Sequence, residues 1–342
     1  MRAVAFDRFG GPEVLEPREL PDPRPAAAEI VVRVRACGVN HLDLWVRQGL
    51  RGLDVQMPHV LGNDVVGEVA ELGDGVQGLA VGDRVWIHPT LSDGTCPACL
   101  AGDDNLCRSY DVLGRRRNGG YAEKVAVPAR NALPYPDGLA WEDAAAMPLV
   151  FLTAWHMLVG RARLKAGETV LIIGGGSGVG SAAIQVAKHL GARVIATAGS
   201  EPKLERVRGL GADATIDHSR QDVAAEARAF TDQAGVEVVF EHVGGRVFEA
   251  GVAALARNGR LVTCGATIGN TATLDLNLLF GRHLSLLGSW MGTRAESLAV
   301  LERVRAGAFR AVVDSVVPLA EARRAHARME AREQFGKIVL VP

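Results

Sequence analysis

The chain has 342 residues, of which 48% are hydrophobic and 23% are charged, and its 38 Lys and Arg residues nearly balance its 39 Asp and Glu residues. This length exceeds one ordinary hydrophobic core, so two domains are expected. The even charge argues against a nucleic-acid surface, and Pro148 and several glycines interrupt the longest uncharged runs, which argues against a membrane span. Small, neutral partners are therefore favoured.

The first 135 residues or so show short β-rich runs that are separated by Gly and Pro. Such spacing predicts a strongly bent all-β body, roughly a barrel. The predicted strands are 30–35, 65–72, 84–88 and 121–127.

Within this body, the segment from about 91 to 110 contains three cysteines in the spacing C-x2-C-x7-C. Cys96, Cys99 and Cys107, with Asp93 three residues ahead of the first, predict one structural zinc in a closed four-ligand site. Free thiols or an adventitious disulfide are the alternatives. Because a closed site leaves no open position, this metal is expected to hold a loop and not to do chemistry.

The other two cysteines, Cys37 and Cys264, lie in apolar settings, which fits a reducing cytosol better than a disulfide-stapled secreted fold. The N-terminus begins like a strand and lacks the apolar core of a signal peptide. Both observations predict a cytoplasmic protein.

From about residue 151 strands and helices alternate, which predicts a parallel, doubly wound sheet. Strands are expected at 169–173, 193–197, 236–240 and 260–264, and helices at 178–190 and 203–210. After about residue 291, a helix (294–306) and a closing strand (336–341) are expected to return to the first body. The predicted domains are 1–150 with 293–342, and 151–292.

A glycine-rich turn separates the first of these strands from the following helix. Gly175, Ser177 and Gly180 fill a G-x-G-x-x-G frame, and Gly178 and Val179 lie inside it. In this context the free N–H groups of the helix N-terminus are expected to bind the pyrophosphate of a dinucleotide. The alternative is a glycine-rich turn in an α/β protein that binds no nucleotide.

The end of the second strand bears on the choice of cofactor. An NAD site would have an acid near Ala198 to hold the ribose 2′-hydroxyl, and no acid is found there. Ser200 and Lys203 offer contacts for a 2′-phosphate, so NADP(H) is expected to be preferred, with NAD(H) possible. Alternatively, Lys203 and Glu201 form only a solvated pair.

Several segments resemble the medium-chain dehydrogenase/reductases, the superfamily of zinc alcohol dehydrogenases and quinone oxidoreductases. They are 61–67, 81–85, 119–123, 152–155 and 335–339. The resemblance implies an α/β protein with a GroES-like β-barrel catalytic domain, a Rossmann domain and a cleft between them. It adds Thr153, His218 and Gly265 as cofactor contacts. We expect a homodimer or homotetramer.

The chain departs from the zinc alcohol dehydrogenases at their catalytic metal ligands. By the resemblance, those ligand positions are Asn40, Asn63 and Leu149 here, and Leu42 stands where the proton relay would begin. The segment 38–49 is instead similar to the zinc-free quinone reductase pattern. The candidate catalytic residues are therefore Asn40, His41 and Asp43. Alternatively, Asp43 and Arg47, which are spaced i and i+4, form only an ion pair on one face of a helix.

The leading hypothesis is an NAD(P)H-dependent oxidoreductase that transfers hydride to quinones or α,β-unsaturated carbonyls without a catalytic zinc. The Asn40 amide, with His41 or a water, is expected to hold the enolate oxygen. One alternative is an alcohol dehydrogenase with a rearranged metal site built from His41, His59, Asp64 and His156. An alternative of another class is a non-catalytic nucleotide-binding protein with a structural or regulatory role.

Overall fold

A computed structural model describes residues 1–50 and 52–342. The chain forms two units, of which the first is Met1–Leu149 with Thr293–Pro342 and the second is Val150–Gly292. The boundary after Leu149 lies one residue from the predicted one, and the second boundary coincides with it.

The first part of the first unit is rich in short strands. Its strands are β1 (Arg2–Phe6), β2 (Glu16–Glu19), β3 (Glu29–Gly38), β4 (His59–Val60), β5 (Asp64–Leu72), β6 (Arg84–Ile87), β7 (Thr90–Leu91), β8 (Asp111–Val112), β9 (Lys124–Pro128) and β10 (Ala132–Pro134). Its helices are α1 (His41–Gln48), α2 (Pro97–Leu100) and α3 (Trp141–Ala145).

In the second unit strands and helices alternate, as predicted. They are α4 (Pro148–Trp155), which begins in the first unit, then β11 (Thr169–Ile172), α5 (Gly178–His189), β12 (Arg193–Ala198), α6 (Glu201–Gly209), β13 (Ala214–Asp217), α7 (Val223–Phe230), β14 (Val236–Glu241), α8 (Gly245–Ala254), β15 (Leu255–Thr263), α9 (Leu276–Gly281) and β16 (Ser285–Gly288).

The chain then returns to the first unit through α10 (Arg294–Arg305), β17 (Val313–Pro318), α11 (Ala322–Glu330) and β18 (Lys337–Val341). The closing strand β18 pairs antiparallel with β3, so residues near both ends of the chain share one sheet. This seven-stranded sheet has the order β10-β6-β5-β3-β18-β17, with β9 also paired to β3. A three-stranded sheet, β2-β1-β4, completes most of the β body.

The second unit is built on a six-stranded, entirely parallel sheet with the order β13-β12-β11-β14-β15-β16. Its central strands are buried on both faces, and Leu171, Val239 and Leu261 on three neighbouring strands are fully excluded from solvent. Runs of apolar residues are typical of strands that helices cover on both sides. Among the described residues, no helix combines the length and the apolar character needed to cross a bilayer.

One predicted strand starts later than expected. The run 121–127 becomes β9 only from Lys124, because the backbone of Tyr121 is bonded to other segments. Its N–H donates to Leu61 O at 2.8 Å, and its carbonyl accepts from Val4 N at 2.8 Å. Tyr121 therefore ties β1 and the β4–β5 connection together before the β9 ladder begins.

Candidate functional site

A buried polar cluster lies in the first unit where α1, β5 and β18 begin. The Lys337 ammonium donates to Val39 O (2.8 Å), Asn40 Oδ1 (2.5 Å) and Asp64 Oδ2 (2.8 Å). Its side chain is 4% exposed and that of Asp64 is fully buried. Asp64 also accepts from Leu149 N at 2.7 Å, so all three hydrogens of the ammonium and both oxygens of the carboxylate have partners.

Asn40 connects this cluster to the adjoining residues of the β4–β5 connection. Its Nδ2 donates to Asn63 Oδ1 at 2.6 Å and to Asp64 Oδ2 at 2.8 Å. The bond from Lys337 fixes which end of the Asn40 amide is the oxygen, because an ammonium only donates. The structure thus brings together Asn40 and Asn63, two of the positions where the sequence lacks metal ligands.

Asp43 is the third residue of α1 and closes the start of the helix by accepting from Asn40 N at 2.8 Å. It also accepts from Gly62 N (3.2 Å), Asn63 Nδ2 (3.2 Å) and Tyr121 OH (3.1 Å). Burial raises the pKa of Asp43 to about 6, and these donors oppose that rise. Asp43 is not paired with Arg47 as the helical spacing suggested, because Arg47 is bonded to Gly10, His326 and Glu330.

His41 begins α1 and is partly exposed, with its ring centroid 6.4 Å from that of Trp45. The alternative metal site of His41, His59, Asp64 and His156 gains no support. Among the described residues, only one group brings three or more metal-ligating side chains together, and it is the cysteine group.

That group consists of Asp93, Cys96, Cys99 and Cys107, whose ligand atoms all lie within 4.8 Å of one another. The Sγ atoms of Cys96 and Cys99 are 3.6 Å apart, close to the ~3.8 Å edge of a tetrahedron with Zn–S bonds of about 2.3 Å. All five cysteines of the chain are free thiols, so the disulfide alternative is not what the structure shows.

The Asp93 carboxylate is held in place by the backbone ahead of α2. Its Oδ1 accepts from Thr95 N and Cys96 N, each at 2.8 Å. These bonds hold the pKa of Asp93 well below its usual range, so the group is an anion at neutral pH. An anionic oxygen beside three sulfurs is a donor set that suits zinc.

The glycine-rich turn joins β11 to α5 in the second unit. Ser177 caps α5: its Oγ accepts from Gly180 N at 2.9 Å and donates to Gly174 O at 2.8 Å. A Cβ on Gly180 would lie 2.2 Å from Gly174 O, and one on Gly175 would lie 3.2 Å from Ile184 and Val207. The close packing of the turn therefore requires glycine at positions 175 and 180. Gly178 and Val179 are the first two residues of α5.

The end of β12 holds the residues on which the cofactor expectation depends. Ala198 is buried, and Ser200 is the residue from which α6 starts. Glu201 accepts a hydrogen bond from Arg208 at 2.7 Å, and both side chains are largely exposed. His218 follows β13, and its Nδ1 lies 3.2 Å from Thr197 Oγ1, next to Ala198.

Two further cofactor candidates lie in the same unit. Thr153 is buried in α4, and its Oγ1 lies 3.8 Å from Met291 Sδ. Gly265 follows β15, and a Cβ there would lie 2.8 Å from His242 O. Gly265 thus packs against the residue that follows β14.

Family models match both units of the chain. Residues 26–137 match the alcohol dehydrogenase GroES-like domain, and residues 178–306 match the zinc-binding dehydrogenase domain. A quinone oxidoreductase of Pseudomonas aeruginosa is 32% identical over 100% of this chain and 99% of its own length. The chain belongs to the medium-chain dehydrogenase/reductase superfamily.

Other members extend the comparison. An acryloyl-coenzyme A reductase of Metallosphaera sedula is 32% identical and aligns over 99% of each chain. The crystal structure of an NAD-dependent alcohol dehydrogenase is 47% identical in sequence, aligns over 100% of both chains and superposes with a TM-score of 0.97. This medium-chain dehydrogenase/reductase is accordingly an NAD(P)-dependent oxidoreductase, with a GroES-like domain and a Rossmann domain as predicted.

Sequence reasoning missed several residues of these sites. Lys337 lies in a segment that carries the family resemblance, and a lysine at the start of an otherwise apolar strand is a sign of a buried partner. His242 follows β14 at the carboxyl edge of the parallel sheet, where α/β proteins bind ligands. Its Nε2 lies 2.9 Å from Ile173 O and 3.3 Å from Ser177 Oγ, so it supports the glycine-rich turn.

Proposed function

We propose that this enzyme transfers hydride from NAD(P)H to quinones or α,β-unsaturated carbonyls without a catalytic zinc. The observation that supports this most is the buried Lys337 ammonium, which bonds to Asn40 and Asp64. By the family resemblance, a metal would be held at Asn40, Asn63 and Leu149. Two amides and an apolar side chain are poor ligands, and a fixed cation among them repels a second one.

The bound nicotinamide supplies the hydride. Reduction of an isolated ketone concentrates negative charge on one oxygen, which a metal would relieve by several kcal/mol. A conjugated acceptor spreads this charge through its π-system, so neutral hydrogen-bond donors are sufficient. We assign this role to the Asn40 amide, assisted by His41 or a water.

The structure adds a condition to the role of Asn40. Both hydrogens of its Nδ2 already have acceptors, and the residue is 6% exposed. One of these bonds must be exchanged for the amide to donate to substrate. The bond to Asn63 joins two neutral groups and is the weaker one, so the substrate oxygen should replace Asn63 Oδ1.

Initial rates with a panel of substrates test the proposal. Enones and quinones should be reduced much faster than ethanol or benzyl alcohol is oxidised, and a chelator should leave the initial rate intact. Asn40→Ala should lower turnover more than cofactor affinity. Asn131→Ala is a matched control, because Asn131 also donates both amide hydrogens to buried acceptors, His88 O and Thr90 O, away from the cluster.

An alcohol dehydrogenase activity is the second candidate, and the name of the 47% identical structure favours it. It would show as alcohol oxidation that disappears on chelation and returns with zinc, which would overturn the first proposal. Nucleotide binding without turnover of any substrate in the panel would contradict both.

We propose that NADPH is preferred over NADH. Ala198 leaves room where an acid would repel a 2′-phosphate, and the N–H groups at the start of α6 lie next to it in sequence. Ser200, Lys203 and His218 would hold the phosphate, with Gly175, Ser177 and Gly180 shaping the turn that holds the pyrophosphate.

We propose that each chain carries one structural zinc on Asp93, Cys96, Cys99 and Cys107. When bound, the metal would link the start and the end of this loop. Since all four positions of a tetrahedron are taken by protein atoms, these residues would stabilise the fold and take no part in hydride transfer.

We also propose a cytosolic homodimer or homotetramer that acts on a small molecule. The free cysteines fit a reducing compartment. β16 is one of the two outer strands of the parallel sheet, and exposed apolar side chains occur near it in the sequence, at Phe280 and Trp290. A second copy would cover them. Sedimentation should give a multiple of the chain mass, and Phe280→Glu should lower it.

A further inference from the structure

We propose that Tyr121 and His326 are positioning residues that hold Asp43 as the fixed acceptor for the Asn40 and Asn63 groups. The inference rests on the proposed function in one respect only, which is that these amides serve the reaction. The residues involved lie far apart in the sequence, and all belong to the first unit.

The position of every proton between Arg47 and Asp43 follows from the geometry. Arg47 Nη1 lies 3.2 Å from His326 Nδ1, and a guanidinium only donates, so Nδ1 carries a lone pair. Burial, with Arg47 nearby, lowers the pKa of His326 to about 3, so the ring is neutral and its single proton is on Nε2.

His326 Nε2 lies 3.1 Å from Tyr121 OH and donates to it. The hydroxyl has one hydrogen of its own, and Asp43 Oδ2 at 3.1 Å accepts it. The chain of hydrogen bonds therefore runs in one direction only, from Arg47 through His326 and Tyr121 to Asp43.

The Arg47 guanidinium is itself fixed in position by hydrogen bonds and burial. Its side chain is fully buried, its Nε donates to Gly10 O at 3.1 Å, and its Nη2 pairs with Glu330 of α11. A buried guanidinium with this ion pair keeps its orientation. Arg47, which is not part of the polar cluster around Lys337, therefore fixes the tautomer of His326.

At the other end, Asp43 receives two donors on each oxygen. Oδ1 accepts from Gly62 N and Asn63 Nδ2, and Oδ2 accepts from Asn40 N and Tyr121 OH. Because Asp43 accepts a hydrogen bond from Asn63 Nδ2, the side-chain oxygen of Asn63 faces Asn40 Nδ2 at 2.6 Å. This contact is the one that the substrate oxygen is expected to replace.

Asp43 lies among other groups that set its charge. Lys337 favours the ionised form, whereas burial opposes it. Asp64 and the Cys37 thiol are the other acidic groups of the neighbouring strands. His326 of α11 contacts Tyr121, and Arg47 of α1 contacts both His326 and Glu330. Loss of the Tyr121 hydroxyl removes one donor from the carboxylate and should make it easier to protonate.

Nitrogen NMR of the unmodified enzyme tests the proton positions without any activity measurement. With 15N-labelled histidine, the resonances of His326 should show the Nε2–H tautomer and no titration between pH 8 and pH 5. His326→Gln identifies them by their loss. An Nδ1–H tautomer, or titration near pH 6, would overturn the proposal even if the enzyme reduces enones as expected.

The pH profile of kcat/KM tests the consequence. In Tyr121→Phe the acid limb of the kcat/KM profile should move to higher pH by about 0.5 to 1 pH unit. The Kd for NADPH should change less than twofold. His326→Leu should act in the same direction, and His326→Gln should restore part of the shift. Tyr135→Phe is the matched control, since its hydroxyl donates to Leu139 O at 3.1 Å in the same unit. An unmoved acid limb in Tyr121→Phe would contradict the positioning role.

Discussion

Lys337 Nζ lies 2.8 Å from Asp64 Oδ2, and the two side chains are 4% and 0% exposed. This ion pair joins the closing strand β18 to β5, whose first residue is Asp64. A charge in such a position is tolerated only with its partner, because neither group can reach water.

Lys337→Met should therefore destabilise the protein by about 3 to 5 kcal/mol, since it leaves the Asp64 carboxylate buried and unpaired. Urea unfolding at pH 7 measures the change. Arg208→Met, which breaks the exposed pair with Glu201, is the control and should cost less than about 1 kcal/mol. A loss below that value for Lys337→Met would mean that the buried pair contributes little.

Stability should fall in mild acid, and the two buried histidines whose pKa values are lowered most should contribute most. Burial lowers the pKa of both His88 and His326 to about 3, so the unfolded chain binds more protons than the folded protein between pH 3 and about 6.5. Each histidine should cost about 3 kcal/mol of unfolding free energy by pH 4. Asp43, with its pKa raised to about 6, acts in the opposite direction over a narrower range.

Urea unfolding between pH 7 and pH 4 measures this slope. His88→Gln should flatten it, because the unfolded state then has one proton fewer to gain. His189→Gln, at an exposed position on α5, should leave the slope unchanged. A slope that is equal in all three proteins would show that His88 does not control acid stability.

Features that depend on local spacing could be predicted from the sequence. The parallel sheet follows from the alternation of strands and helices, the turn at Gly175 and Gly180 from its frame, and the ligand group around Cys96 from three cysteines within one loop. In each case the prediction uses only the spacing or alternation of residues along the chain and does not require knowledge of which distant segments meet.

The buried network could not be predicted in this way. The Lys337–Asn40 bond spans 297 residues and the Tyr121–His326 bond spans 205, so no local pattern connects the partners. The sequence did single out Asn40, but it could not show that both amide hydrogens already have acceptors. That state depends on the pairing of β18 with β3, which brings Lys337 to the start of α1.

The zinc proposal predicts one metal per chain in protein prepared without chelator. Cys107→Ser should lower the zinc content, and removal of zinc should lower Tm by several degrees while the initial rate of hydride transfer is kept until the protein unfolds. Cys264→Ser, outside the ligand group, should keep one zinc. Elemental analysis that finds no zinc, or two zinc ions per chain, would contradict the assignment of one structural zinc.

The cofactor proposal predicts that Ala198→Asp reverses the preference. A carboxylate at the end of β12 repels a 2′-phosphate and accepts from a 2′-hydroxyl, so the ratio of kcat/KM for NADPH to that for NADH should fall at least about tenfold. Lys203→Ala should weaken NADPH binding and spare NADH. Equal efficiency with both cofactors in the unmodified enzyme would count against the proposal.

The glycine-rich turn gives a sharper test of dinucleotide binding, since one added carbon is enough to disturb it. In Gly180→Ala the new Cβ would lie 2.2 Å from Gly174 O and 2.9 Å from Ser177 Oγ, so the turn has to open. The Kd values for NADH and NADPH should both rise at least about tenfold, because the pyrophosphate that we propose to bind at this turn is common to the two cofactors.

Gly209→Ala is the matched control, because a Cβ there meets nothing within 4 Å and the residue ends α6 with ordinary backbone angles. Its cofactor affinities should equal those of the unmodified enzyme. Fluorescence titration of the bound nicotinamide gives both constants. Affinities of Gly180→Ala that stay within twofold of the control would show that the dinucleotide is bound elsewhere.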